Sequence, residues 1–114
     1  MKKIERDNIY AKIPSIKKDE IFETLLSNRK LKIERIISHG QVMKKGVWLN
    51  EAHDEWVMVL KGAGTLLFRK GNQLVKMKKG DYLLIPANTQ HRVVRTAPGR
   101  PTIWLAIQYP GTRR

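Results

Sequence analysis

The stretch EWVMVLKGAGTLLFRKGNQLVKMKKGDYLLIP, residues 55–86, decides the fold class. Four short apolar runs, EWVMVL, TLLFR, QLVKM and YLLI, are separated by Gly62, Gly64, Gly71 and Gly80 and closed by Pro86. Runs this short, rich in Val, Leu and Phe and bounded by glycine, read as strands joined by tight turns. The pattern continues outward on both sides. Upstream, LKIERII (31–37) alternates loosely, and HGQ and KKG punctuate the chain behind it. Downstream come HRVVRT (91–96), the breaker-rich APGRP (97–101) and TIWLAIQY (102–109). Seven or eight such strands predict an antiparallel sandwich or barrel. A parallel α/β fold is not expected, because strands and helices do not alternate over long distances.

Only the N-terminal part breaks this rhythm. NIYAKIPSIKKDEIFETLLSN (8–28) reads as an extended arm and then a short α-helix. Pro14 breaks any earlier helix, and Ser15 or Asp19 offers a cap. Ile21, Phe22, Leu25 and Leu26 form an apolar stripe that ends at Ser27-Asn28. The expected organisation is an arm and helix packed on the body over residues 1–30, a β-barrel over 31–109, and a basic tail over 110–114.

The composition narrows the chemistry. With 114 residues, the chain is sized for one domain with its own core. It has no cysteine, which removes disulfides, thiolate metal sites and cysteine nucleophiles. No segment approaches the roughly 20 apolar residues that span a bilayer, and the N-terminus lacks a signal-peptide pattern. A cytoplasmic protein without a membrane partner is the expectation. Lys and Arg number 23 against 10 acids, a net charge of +13. From Trp56 onward Asp81 is the single acidic residue. Such a surface attracts polyanions, but the bases are scattered over strands and turns, so nucleic-acid binding is expected only as non-specific electrostatics. Phosphate-loop, dinucleotide-binding and serine-elbow motifs are absent from the sequence.

Two motifs then line up. Glu55 and Gly62 have the spacing Glu-x6-Gly, and GDYLLIPANTQH places Gly80, Pro86 and His91 at G-x5-P-x4-H. These resemble the two halves of the cupin signature, G-x5-H-x-H-x3-4-E-x6-G and G-x5-P-x-G-x2-H-x3-N. The likeness covers roughly residues 40–109 and extends to a group of small single-domain cupins with an N-terminal helix. It implies an all-β jelly-roll barrel or sandwich, a divalent metal (Fe, Mn, Ni or Zn) in its mouth, and a homodimer. The sequence departs from the signature at several places. The two histidine positions hold Trp48 and Asn50 if four residues precede Glu55, or Leu49 and Glu51 if three do. Asn88 stands at the second motif's glycine and Arg95 at its asparagine.

Glu55 and His91 carry over residue by residue and are the candidate acid/base pair. His53 shares the strand parity of Glu55, so His53, Glu55 and His91 form a candidate metal set. Glu51, of the same parity, would be a fourth ligand. Trp48, Trp104 and Arg95 are candidate ligand contacts, Arg95 because it shares the parity of His91. Trp56 is expected to face away from the cavity. Two function classes result: a metal-dependent enzyme acting on a small organic substrate, or a non-catalytic small-molecule-binding cupin that has lost the histidine pair. A polyanion binder using the basic surface is the third.

Overall fold

The computed structural model describes residues 3–15 and 18–111. Among the described residues, eight strands form two sheets. β1 (Ile21–Ser27), β2 (Lys32–Ser38), β8 (Thr102–Pro110), β3 (His53–Lys61) and β6 (Tyr82–Ile85) make a five-stranded sheet in the order β1-β2-β8-β3-β6. β5 (Gln73–Lys78), β4 (Ala63–Phe68) and β7 (His91–Thr96) make a three-stranded sheet in the order β5-β4-β7. All pairings are antiparallel, and the architecture is the all-β jelly roll, with two facing sheets that do not close into one barrel.

The expected helix is a strand. Ile21–Ser27 pairs along β2, with Phe22 opposite Ile36 and Thr24 opposite Glu34. Seven residues are too few for a helix to stand by itself in water, whereas the free edge of β2 offers every backbone group a partner. Asn28 is the turn residue rather than a helix stop. Its Oδ1 accepts from the N–H groups of Lys30 and Leu31, both at 2.9 Å, and its own N–H donates to the Leu31 carbonyl. This strand belongs to the large sheet itself, so the hairpin crosses the boundary expected at residue 30. Of the basic tail, residues 112–114 lie outside the described residues.

Strand alternation then fills the core. Val57, Val59, Trp104 and Ala106 from the large sheet meet Leu66 and Met77 from the small one, with Ile85 beside them. Each is at most 5 % exposed, and burying side chains of this size contributes roughly 1.5–3 kcal/mol apiece for the larger ones. The indole of Trp104 crosses to β4 at Gly64, where an added Cβ would overlap its six-membered ring. The outer face of the large sheet is partly covered by the N-terminal arm. Arg35, 6 % exposed, donates from Nη1 to the carbonyls of Ile9 (3.0 Å) and Ala11 (2.6 Å), from Nη2 to that of Lys12 (3.3 Å), and pairs with Glu23 at 2.7 Å. Beyond the arm, Trp56 faces outward as expected and packs on Tyr82 with ring centroids 5.3 Å apart.

Two substitutions test this arrangement. Gly64→Ala forces the buried indole to move and is expected to cost about 1–3 kcal/mol in chemical denaturation. Arg35→Met keeps the apolar stem but removes the arm's carbonyl donors. It is expected to speed tryptic cleavage after Lys12 several-fold, ahead of any global unfolding.

Candidate functional site

Between the two sheets lies a cavity of about 220 Å³. Its walls are mainly apolar, from residues such as Ile36, Val57, Leu66, Val93 and Trp104. Its polar lining is His91, Gln108 and four glutamates, Glu20, Glu34, Glu51 and Glu55. Strand parity explains the set. Glu34 alternates with Ile36 on β2, Glu55 with Val57 on β3, and Gln108 with Trp104 and Ala106 on β8, so each faces the same interior as its apolar neighbours.

The structure also chooses between the two registers of the first motif. Leu49 and Glu51 line the cavity, and Leu49 exchanges both backbone hydrogen bonds with His91, at 2.7 and 3.1 Å. The histidine-pair positions of the signature are therefore filled by Leu49 and Glu51. Trp48, one residue out of phase, turns away from the cavity and lies between two guanidinium groups, Arg69 at 5.5 Å and Arg92 at 5.8 Å from its ring centre. Its expected role as a cavity contact is corrected accordingly.

Arg95 is corrected for a different reason. Leu66 pairs with Val93 but Thr65 pairs with Arg95, so Val94 is an extra residue in β7. This bulge inverts the parity inferred from His91, and Arg95 is exposed on the outside of the small sheet. Asn88, by contrast, fills the glycine position of the second motif well. Its φ is +61°, the left-handed region that asparagine tolerates better than other side chains, and its N–H donates to the Glu51 carbonyl at 2.7 Å.

Polar contacts tie the interior together. The Gln108 side-chain amide donates to Glu34 at 3.1 Å and to Glu55 at 3.3 Å, bridging two carboxylates. Glu34 also meets the Lys32 ammonium at 3.4 Å, and Glu20 accepts a short hydrogen bond from the Ser38 hydroxyl. His91 is buried, stacked on Phe68 at 5.8 Å, and its Nδ1 lies 2.8 Å from the Thr89 carbonyl. A carbonyl can only accept, so Nδ1 carries the proton and a neutral ring leaves Nε2 as an acceptor.

Glu55 and His91, the expected acid/base pair, thus both line the cavity, as does Trp104. His53 does not. It sits at the first position of β3 opposite Pro110, with its Nε2 buried and unpartnered, and reaches Glu55 only through its charge. Among the described residues, no group of three His, Asp or Glu side chains is arranged to hold a metal ion. The set His53, Glu55 and His91 does not fit the metal centre that the signature implies, because Glu55 and His91 share the cavity lining and His53 is not part of it. Glu20, Glu34 and Gln108 were not anticipated from the sequence. The available signal was a polar residue in phase with apolar ones in KIERIIS and TIWLAIQY, and in the case of Glu20 there was none.

Burial pushes the Glu55 carboxyl upward in pKa. The Gln108 hydrogen bond and the charges of His91 and His53 pull it back, and the Glu51 carboxylate pushes it further up. Glu20 is also raised by burial, against the hydrogen bond from Ser38. A carboxyl raised in the fold holds its proton more tightly than in the unfolded chain. Its stabilising contribution is complete below the unfolded value and is lost as pH rises through the folded one. Glu55→Gln removes this titration. The variant is expected to be more stable than the parent by roughly 1 kcal/mol near neutral pH, with the two converging as pH falls to about 4, in urea denaturation followed across that range.

The comparisons with known proteins agree with this geometry. A family model described as "Cupin domain" matches residues 39–108. A solved structure from Ralstonia eutropha, described as a "putative mannose-6-phosphate isomerase", is 41 % identical with a TM-score of 0.90, covering 95 % of this chain and all of that one. A cupin superfamily protein from Desulfitobacterium hafniense has a TM-score of 0.74 at 18 % identity, covering 95 % and 94 % of the two chains. An RmlC-like cupin from Desulfovibrio desulfuricans has a TM-score of 0.69 at 19 % identity, covering 95 % and 99 %. No curated protein matches the sequence. The chain belongs to the cupin domain family.

Proposed function

We propose that this cupin binds a small organic molecule in the cavity between its sheets, with Glu55 and His91 as the pair able to exchange a proton with it. The observation that carries this reading is the convergence on one apolar cavity of Glu55, His91 and Gln108, side chains from three separate strands. Such a combination of apolar wall and few polar groups is the usual make-up of a ligand site. The Nε2 of His91 is available as an acceptor, and the raised proton affinity of Glu55 suits it to hold or release a proton.

The Ralstonia protein's description suggests a second reading, an isomerase of a phosphorylated sugar. The cavity lining argues against carrying that substrate over. Among the described residues it contains no lysine or arginine, and four glutamates would repel a phosphate. A metal-dependent reaction, the other expectation from the family, is not favoured by the placement of His53 outside the cavity. Homodimerisation belongs to the same proposal. Its support is the outward apolar patch around Trp56 and Tyr82, where Tyr82 is 62 % exposed.

The test is a thermal-shift screen of small organic molecules on chelator-treated protein. Ligands of the cavity are expected to raise the melting temperature by a few degrees at concentrations well above their Kd. Ile36→Trp, which fills the cavity from its wall, should abolish the shift, while Lys76→Ala on the outer face of the small sheet should preserve it. A shift that survives in Ile36→Trp would place the ligand elsewhere and remove this reading.

A further inference from the structure

The charge inside the cavity is opposite to the charge of the molecule. The chain carries +13, yet four of its ten acidic residues, Glu20, Glu34, Glu51 and Glu55, line this one space, and among the described residues no lysine or arginine does. The partners that the protein supplies neutralise them only in part, through Lys32 beside Glu34 and the charges of His91 and His53 on Glu55. Glu34 has one ammonium, on Lys32, at 3.4 Å. Glu20 has a hydroxyl, and Glu34 and Glu55 share the single amide of Gln108. Holding four carboxylates in a partly dry space with so few cations is costly unless something else brings the charge.

A second, independent observation points to an occupant. Trp104 is 3 % exposed and forms part of the cavity wall, and its indole N–H finds no acceptor among the described residues. A buried donor left unmet costs about 1–3 kcal/mol. A molecule whose oxygen or π-face reaches the indole N–H would remove that cost; an ammonium group has no acceptor to do so, but it would remove the cost of the carboxylates.

The geometry points to an organic cation as the ligand: a compact primary amine with an apolar body, its ammonium group among the glutamates and its body against Ile36, Val57, Leu66 and Val93. This rests on the small-molecule reading above and specifies its substrate class. An ammonium group has three donors and no acceptor, which matches a site that offers several carboxylate acceptors. An apolar body is required, because most of the wall offers no hydrogen bond. The same lining rejects carboxylates and phosphates by like charge, although the outer surface attracts them.

The experiment uses three molecules of one shape and different charge: 2-phenylethylamine, 2-phenylethanol and phenylacetate. Each is titrated calorimetrically into the chelator-treated full chain, with Ile36→Trp as the filled-cavity control. The amine is expected to bind about tenfold or more tighter than the alcohol, and phenylacetate more weakly than either. The double variant Glu51→Gln/Glu55→Gln should lose the amine's advantage while still binding the alcohol, which separates lost charge from lost fold. Alcohol binding that equals or exceeds amine binding, and is blocked in Ile36→Trp, would overturn the cation inference and leave the cavity reading standing. Tighter binding of phenylacetate in the cavity would overturn it as well. Failure of all three to bind the parent at millimolar concentration would bring down the small-molecule reading and this inference with it.

Discussion

Trp104 can span the space between the two sheets because Gly64, opposite it, has no side chain. Both the core and the cavity depend on that contact. The indole leaves the large sheet and ends against the small one, so it packs with Val57, Val59, Leu66 and Met77 as a shared core. The remaining interior space is not filled, and Trp104 forms part of its wall. A bulky residue at position 64 would push the sheets apart, while a small residue at 104 would join core and cavity into one larger void. The two residues are far apart in sequence, and only the facing of the sheets brings them together.

Electrostatics divides the molecule into an outside and an inside. The outside is lysine- and arginine-rich and solvated, where charge is inexpensive. The inside holds four glutamates, two of which, Glu20 and Glu55, have their proton affinities raised by burial. Gln108 is central to this balance, since its one amide group serves both Glu34 and Glu55 and so fixes the spacing of two like charges. The arrangement is selective by repulsion as much as by attraction, because an anion drawn to the surface finds no cation within.

Much of the fold was legible locally. Glycine and proline between short apolar runs give an all-β chain, and the spacings Glu55-x6-Gly62 and Gly80-x5-Pro86 identify the cupin signature. Asn88, a departure from the signature in the sequence, takes the left-handed backbone that a glycine would adopt there. The failures have definite causes. Ile21–Ser27 carries a stripe compatible with helix or strand, and the edge of β2 decided for strand. Arg95 was assigned by parity from His91, and one extra residue, Val94, reversed it. Trp48 was assigned to the cavity as an aromatic at the barrel mouth, and the pairing of Leu49 with His91 puts it out of phase with the lining.

The sequence by itself determined the strands from residue 31 onward, the family and the anchored pair Glu55 and His91, because turn chemistry, strand period and motif spacing are short-range properties. The tertiary structure alone decided that Glu20, Glu34 and Gln108 join them and that His53, Trp48 and Arg95 do not. The reason is physical: a side chain's face depends on strand register and on single-residue bulges, and those are fixed by pairing between segments distant in the chain.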